Sequence, residues 1–327
     1  MNEVRFPLPG RKRAWARLPL VLLAVLLVSR AGMTQSLSYS KGQNASPAFE
    51  GWEENPDGSF NLLFGYMNRN WEEELNVPIG PDNTIEPGGL DQGQPTHFLP
   101  RRNRFIFKVR VPKDFGTKEL VWTLTTQGRT EKAYATLRID SKVDEVVEAS
   151  ETGALGAGTS SPEVRANKRP VVTIEGEKTR SVRVGQPLML VASVVDDGIP
   201  KARGRGQVGA ATRAPQTTNI IPQGTNPAYV PPRRSTVGKS VGLHLGWYVY
   251  RGAGTVTFDP PQIKVWEDTR LGANSPWAPL WVAPPPPADG KWTSHATFDD
   301  PGTYVLRARA DDGALAADQA LTVTVTR

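Results

Sequence analysis

The feature that most constrains this chain is a period-2 pattern near its C-terminus. From Tyr304 to Ala310, Tyr304, Leu306, Ala308 and Ala310 fall on one face of an extended strand, and Val305, Arg307 and Arg309 fall on the other. Asp299, Asp300, Pro301 and Gly302 supply a turn ahead of it. Leu321, Val323 and Val325 then alternate with Thr322, Thr324 and Thr326, the signature of a half-buried closing strand. Two such strands cannot bury their apolar faces alone, so they predict a sandwich of packed sheets. With 31 glycines and 29 prolines, well above their usual combined share of about 12 %, the chain is expected to be all-β and rich in turns.

The N-terminus points to export. Arg5, Arg11, Lys12, Arg13 and Arg17 precede an apolar run from Leu18 to Val28, and small residues follow around Ala31. That order predicts a signal peptide over residues 1–31, because eleven apolar residues fall short of the roughly 20 needed to span a bilayer. The chain is then expected to leave by the Sec route and be periplasmic, cell-surface or secreted, touching a membrane only through this segment if it stays uncleaved. There is no cysteine, which excludes disulfides, thiol catalysis and thiolate metal ligands. Six of the 39 basic residues and one of the 33 acids sit in residues 1–31, so the formal charge of +6 belongs mostly to the leader. The remainder is nearly neutral, which disfavours a nucleic-acid partner.

Residues 32–48 read as a flexible lead-in, and residues 49–140 as an N-terminal sandwich-like domain. In that domain Phe60, Leu62, Phe64 and Tyr66 share a face, as do Phe105, Phe107, Val109 and Val111. Leu120, Trp122 and Leu124 alternate likewise, and Gln127-Gly128 turns the chain into a hairpin partner carrying Ala133, Ala135, Leu137 and Ile139. Trp122 is a candidate core residue. Acids dominate before residue 97 and bases after it, so opposite charges are expected to pair across strands. The excursion from Pro78 to Arg102 is expected to bind something or to pack back on a sheet. Residues 141–168 read as a linker, and residues 169–327 as a second domain.

The second domain carries a resemblance. Pro170-Val-Val172, the run from Val184 to Pro200 with Asp196-Asp197-Gly198, Trp247 followed by Gly252 to Val256, and the run from Phe298 to Gly313 together resemble a PKD-type, immunoglobulin-like sandwich of bacterial extracellular proteins. The resemblance implies that Trp247 is the buried tryptophan of a central strand and Tyr304 a corner tyrosine. It also implies a spacer, adhesion or interaction module without catalysis. Insertions at residues 201–241 and 268–291 depart from that pattern. Residues 60–112, with Asn68-Arg-Asn70, resemble a recurrent module of exported bacterial proteins to which no function attaches.

Three features suggest ligands. Arg203, Arg205, Arg213, Arg233 and Arg234 lie in a stretch without any acid, suited to an anionic glycan or cell-surface polymer. Trp277, Trp281 and Trp292 bracket a Pro-rich run and offer rings for sugar stacking. Asp196-Asp197, Asp299-Asp300 and Asp311-Asp312 are sites where Ca²⁺ would find oxygens, although Asp-Gly pairs equally make turns; no other cofactor is expected. His97, His244 and His295 have no metal-ligand spacing, and no nucleophile motif occurs. The expectation is a non-catalytic binding or structural protein of the bacterial cell envelope that engages protein or surface polymer. The alternatives are a carbohydrate-binding protein and a glycoside hydrolase or hydrolase accessory.

Overall fold

A computed structural model describes residues 40–152, 162–201, 242–266 and 284–327. The expected leader lies outside them. The described chain is all-β apart from two short helices and one 3-10 turn.

The N-terminal half packs two three-stranded sheets. In the first, β1 (Ala45–Glu54), β2 (Phe60–Asn68) and β6 (Arg101–Val111) lie in that order, all antiparallel. The second runs β4 (Asn83–Glu86), β7 (Leu120–Thr126), β8 (Arg129–Ala135), and β3 (Leu75–Asn76) pairs with β5 (His97–Phe98) beside them. Most of the alternation read from the sequence fills the core: Phe64 stacks on Phe107 at 5.2 Å, and Trp122 meets Phe107 edge-on at 5.0 Å, but Phe105, at positive φ, yields its place to Ile106, and Ile139 lies beyond β8 and is exposed. Trp122 is fully buried, and its indole N–H donates to Asn83 Oδ1 at 3.0 Å. The expected hairpin turn is there, with Gln127 and Gly128 both at positive φ, as a tight two-residue turn requires. Opposite charges pair from β1 to β6 across β2: Arg102 meets Glu50 and Lys108 meets Glu53, each at 2.6 Å.

One boundary differs from the sequence reading, and the linker span carries short helices. Strand β1 opens at Ala45, inside the expected lead-in, because the Ala45 N–H is held by Thr126 Oγ1 at 2.8 Å. The span 141–168 carries α1 (Glu145–Thr152) and α2 (Pro162–Ala166). Asp144 caps α1 through the Val147 N–H at 2.8 Å, and Arg169 grips Glu148 with two bonds of 2.8 and 2.7 Å.

The C-terminal half is built from two four-stranded sheets. One runs β13 (Val256–Asp259), β14 (Lys291–Phe298), β11 (Leu188–Val195), β9 (Val171–Ile174). The other runs β10 (Thr179–Arg183), β16 (Ala316–Thr326), β15 (Gly302–Asp311), β12 (His244–Arg251), with β10 parallel to β16. In chain order the strands distribute between the sheets as A, B, E, D and A′, C, F, G do in immunoglobulin domains. Trp247 stands on the third of these main strands, 2 % exposed. Tyr304, near the start of the penultimate strand, donates its hydroxyl to Asp300 O at 2.9 Å, which is a tyrosine corner. This half is an immunoglobulin-like sandwich.

The sheet containing β12 and β15 is covered on both sides. Its inner face, with Trp247, Val249, Leu306 and Ala308, faces the other sheet of its own sandwich. Its outer face sends Tyr248, Tyr250 and Val305 into the N-terminal core. Seven consecutive residues, His244 to Tyr250, are buried as a result.

Candidate functional site

The junction between the halves is polar as well as apolar. Arg251, at the end of β12, holds both carboxylate oxygens of Asp91 at 2.8 Å and bonds Gln94 O at 2.9 and 2.7 Å. The backbone adds Thr96 N–H to Tyr250 O at 3.3 Å, and Asn76 Nδ2 donates to Ala253 O at 3.2 Å. The Tyr250 hydroxyl donates to Gly93 O. The excursion from Pro78 to Arg102 therefore packs back on a sheet through β4 and supplies this contact through residues 91–96.

Beneath it, Arg309 chelates Asp318 with bonds of 2.9 and 2.7 Å, and Tyr248 OH donates to the same carboxylate at 3.2 Å. Burial works to raise the Asp318 pKa, but the Arg309 guanidinium outweighs it and holds the group below the usual carboxylate range. Burial also pushes the Tyr250 hydroxyl well above its ordinary value.

Along the free edge of β12 lies a cavity of about 190 Å³. Its lining includes Glu74, Asn76 and His97 of the N-terminal half and Trp247, Phe258 and Trp266 of the C-terminal half, of which Trp266 packs in the N-terminal core. His97 is 5 % exposed, with Nδ1 2.8 Å from Asn76 Oδ1 and Nε2 3.1 Å from Glu74 Oε2. Both ring nitrogens thus face oxygens, which fixes the plane of the ring. Trp247 and Trp266 are 2 % and 6 % exposed, and neither indole N–H has a hydrogen-bond partner among the described residues. A buried donor left unmade costs about 1–3 kcal/mol. The cavity is many times the roughly 10–15 Å³ that admits a water, but both indole nitrogens are sealed from contact with even a water-sized atom and lie behind its surface.

The residues singled out by sequence fare differently. Arg203, Arg205, Arg213, Arg233, Arg234, Trp277 and Trp281 lie outside the described residues. Trp292 is half-buried, with its ring against the C-terminal core. Trp122, Trp247 and Tyr304 sit in the two cores, and Trp247 also lines the cavity. The three aspartate pairs do not converge, because Asp299-Asp300 and Asp311-Asp312 flank β15 at opposite ends, roughly 30 Å apart for ten residues. Most of them bind local turns: Asp196 and Asp197 accept from Gly198 and Ile199 at 3.0 and 2.9 Å, and Asp312 accepts from Ala314 and Leu315 at 2.6 and 2.8 Å. Among the described residues no group of three or more His, Asp or Glu side chains is placed to hold a metal. Tyr248, Tyr250, Trp266 and the Glu74–His97 pair were not singled out by sequence. The signal for the tyrosines was present, since a run that is apolar on both faces marks a strand covered on both sides.

No protein-family model matches the sequence, and no curated protein matches it. Solved structures to which the chain is similar include the Yersinia pseudotuberculosis adhesin InvE (10 % identity, TM-score 0.22), where the match covers 87 % of this chain and 59 % of that one. Domains 4 and 5 of the S-layer protein SbsC match at 10 % identity and a TM-score of 0.20, covering 87 % and 98 %. The fibronectin(III)-like modules of Clostridium thermocellum CbhA match at 8 % identity and 0.21, covering 86 % and 94 %. The fold assignment rests on the strand order described above.

Proposed function

We propose that this chain is a non-catalytic binding protein of the bacterial cell envelope, exported through the Sec route, that presents the junction of its two sandwiches as a fixed concave surface. The observation that carries the reading is the shared core: Tyr248 and Tyr250 belong to a C-terminal strand but are buried in the N-terminal half. Walls that do not move relative to each other lose little entropy on binding. A PKD-type spacer hinged on a flexible linker would have no use for such a junction. The partner is a protein or an anionic surface polymer, and the basic stretch 201–241 would strengthen its capture.

Co-sedimentation of the mature chain with isolated cell-envelope fractions tests this. Retention that weakens as salt rises is expected, since the polymer contact is electrostatic. An absence of retention at low salt, with the protein folded, overturns it. Carbohydrate binding is the second reading, and the observation favouring it is the junction cavity, where Glu74, Asn76 and His97 share the lining with Trp247, Phe258 and Trp266.

A further inference from the structure

We infer that α1 (Glu145–Thr152) is a releasable strap between the two halves, helical only while Arg104 and Arg169 hold its glutamates, and that its release uncovers a cavity on the N-terminal sheet.

Left to itself, the segment is a poor helix. Its eight residues fall short of the roughly 12–15 at which an isolated helix becomes even marginal in water. Two valines, a serine and a threonine among them lower the propensity further. Glu145, Glu148 and Glu151 recur every third residue, so like charges follow one another along the helix surface and repel. Glu151 also falls in the last turn, where no basic residue of the helix answers it. Apolar anchorage is small: among the described residues Ala149 clusters with Ala314 and Leu315, and Val146 packs partly buried beside them.

Two arginines offset these costs, one from each half. Arg169 forks onto Glu148, places Nε 3.7 Å from Glu145 Oε1, and bonds Ala316 O of β16 as well. Arg104 of β6 brings Nη1 to 3.0 Å from Glu151 Oε2. The chain is pinned before α1 and after α2, since the Val143 N–H donates to Trp52 O at 2.8 Å and the Asn167 amide donates to Asp312 Oδ2 at 3.1 Å. Losing the arginine contacts therefore frees α1 while its anchors stay in place. Val147 and Glu151 of α1 line a cavity of about 290 Å³ together with Phe49, Glu50, Arg104 and Phe105 of the N-terminal sheet. The strap is thus part of the cavity wall, and both halves bias whether it is closed.

Hydrogen exchange of the full chain, read by mass spectrometry, follows the strap directly. Glu148→Gln/Glu151→Gln removes two charges and keeps side-chain size. Amides of α1 should then exchange about tenfold faster than in the parent, while those of β7 and β15 keep their rates. Glu151→Gln alone changes an exposed side chain and should give a smaller acceleration in the same amides, so a folding defect in the double variant does not obscure the result. The chain has no cysteine, so Phe105→Cys offers a single thiol on the cavity wall. Maleimide should modify that thiol about fivefold faster when the two glutamines are present. Unchanged exchange in α1 overturns the inference, because packing would then hold the helix without its charges. Equal acceleration across the whole chain overturns it too, as general unfolding and not release of a strap. Faster exchange in α1 with unchanged labelling at residue 105 overturns the uncovering of the cavity.

Discussion

The guanidinium of Arg307 lies flat on the ring of Tyr250, 3.3 Å from its centroid, while Nη1 donates to Ile106 O at 2.6 Å. One side chain thus ties β15, β12 and β6 together across the junction. Replacing it with Met keeps the apolar stem but loses the stacked cation and a charge-assisted hydrogen bond. Arg307→Met should cost about 2 kcal/mol, read as a lower urea midpoint. Arg307→Lys should recover less than half, because an ammonium neither stacks flat nor forks. Faster proteolytic cutting within residues 141–168 of Arg307→Met would confirm that the loss is at the junction.

Arg251 and Asp91 allow the ion pair to be separated from the backbone contacts. The Asp91 side chain is 54 % exposed, so its pairing with Arg251 is worth only about 0.2–1 kcal/mol. Arg251 also bonds Gln94 O twice, where solvent competes less. Asp91→Asn should therefore lower stability by well under 1 kcal/mol, with an effect that fades in high salt. Arg251→Ala should cost about 1–2 kcal/mol more and persist in salt. Urea unfolding at two ionic strengths checks the pair.

Legibility in the sequence divided by face. Tyr304, Leu306, Ala308 and Ala310 alternate and are all buried, as hydrophobic periodicity demands. The opposite face of the same strand, Val305, Arg307 and Arg309, has the composition of a solvated surface yet is covered. An arginine becomes buriable once an aromatic face, a carbonyl or a carboxylate awaits it: Arg307 finds Tyr250 and Ile106, both distant in sequence, and Arg309 finds Asp318 opposite it on the neighbouring strand. The cavity was hidden for the same reason, since Glu74 and His97 meet Trp247 and Trp266 only through the junction. Strand β4 escaped notice because four residues amid prolines and glycines have no periodicity of their own; pairing with β7 makes them a strand.

The tyrosine corner depends on two glycines as well as its hydrogen bond. Gly252 has φ +133°, and a Cβ there would collide with the Tyr304 ring; a Cβ at Gly254 would strike its hydroxyl. Tyr304→Phe removes one hydrogen bond to Asp300 O and should cost about 1 kcal/mol. Gly252→Ala adds backbone strain and displaces the ring, so it should cost about 2–4 kcal/mol. Thermal unfolding of the two variants should rank them in that order, and a reversed ranking would show that the ring is held mainly by its hydroxyl.

Asp312 sets the last prediction, a dependence on pH. It is 1 % exposed, and burial pushes its pKa up to about 7 despite hydrogen bonds from Leu315, Ala314 and Asn167. The unfolded chain releases this proton near pH 4, so between about pH 4 and 7 the native state binds more protons than the unfolded one. Stability should therefore fall as pH rises through that window and level off above it. Asp318 acts elsewhere: its pKa is depressed, so its contribution is present above pH 4 and is lost only in stronger acid. In Asp312→Asn the side-chain oxygen still accepts from Ala314 and Leu315, and the new amide takes the place of the oxygen that accepts from Asn167 Nδ2, so Asn167 must turn its amide over to present Oδ1, which has no partner among the described residues. The variant should be more stable than the parent by a few kcal/mol at pH 8 and nearly equal to it at pH 4. Denaturant curves at both values check this through the difference between the two proteins, which cancels the other titrating groups. A constant difference across the range would mean that Asp312 is not the group whose proton is linked to folding.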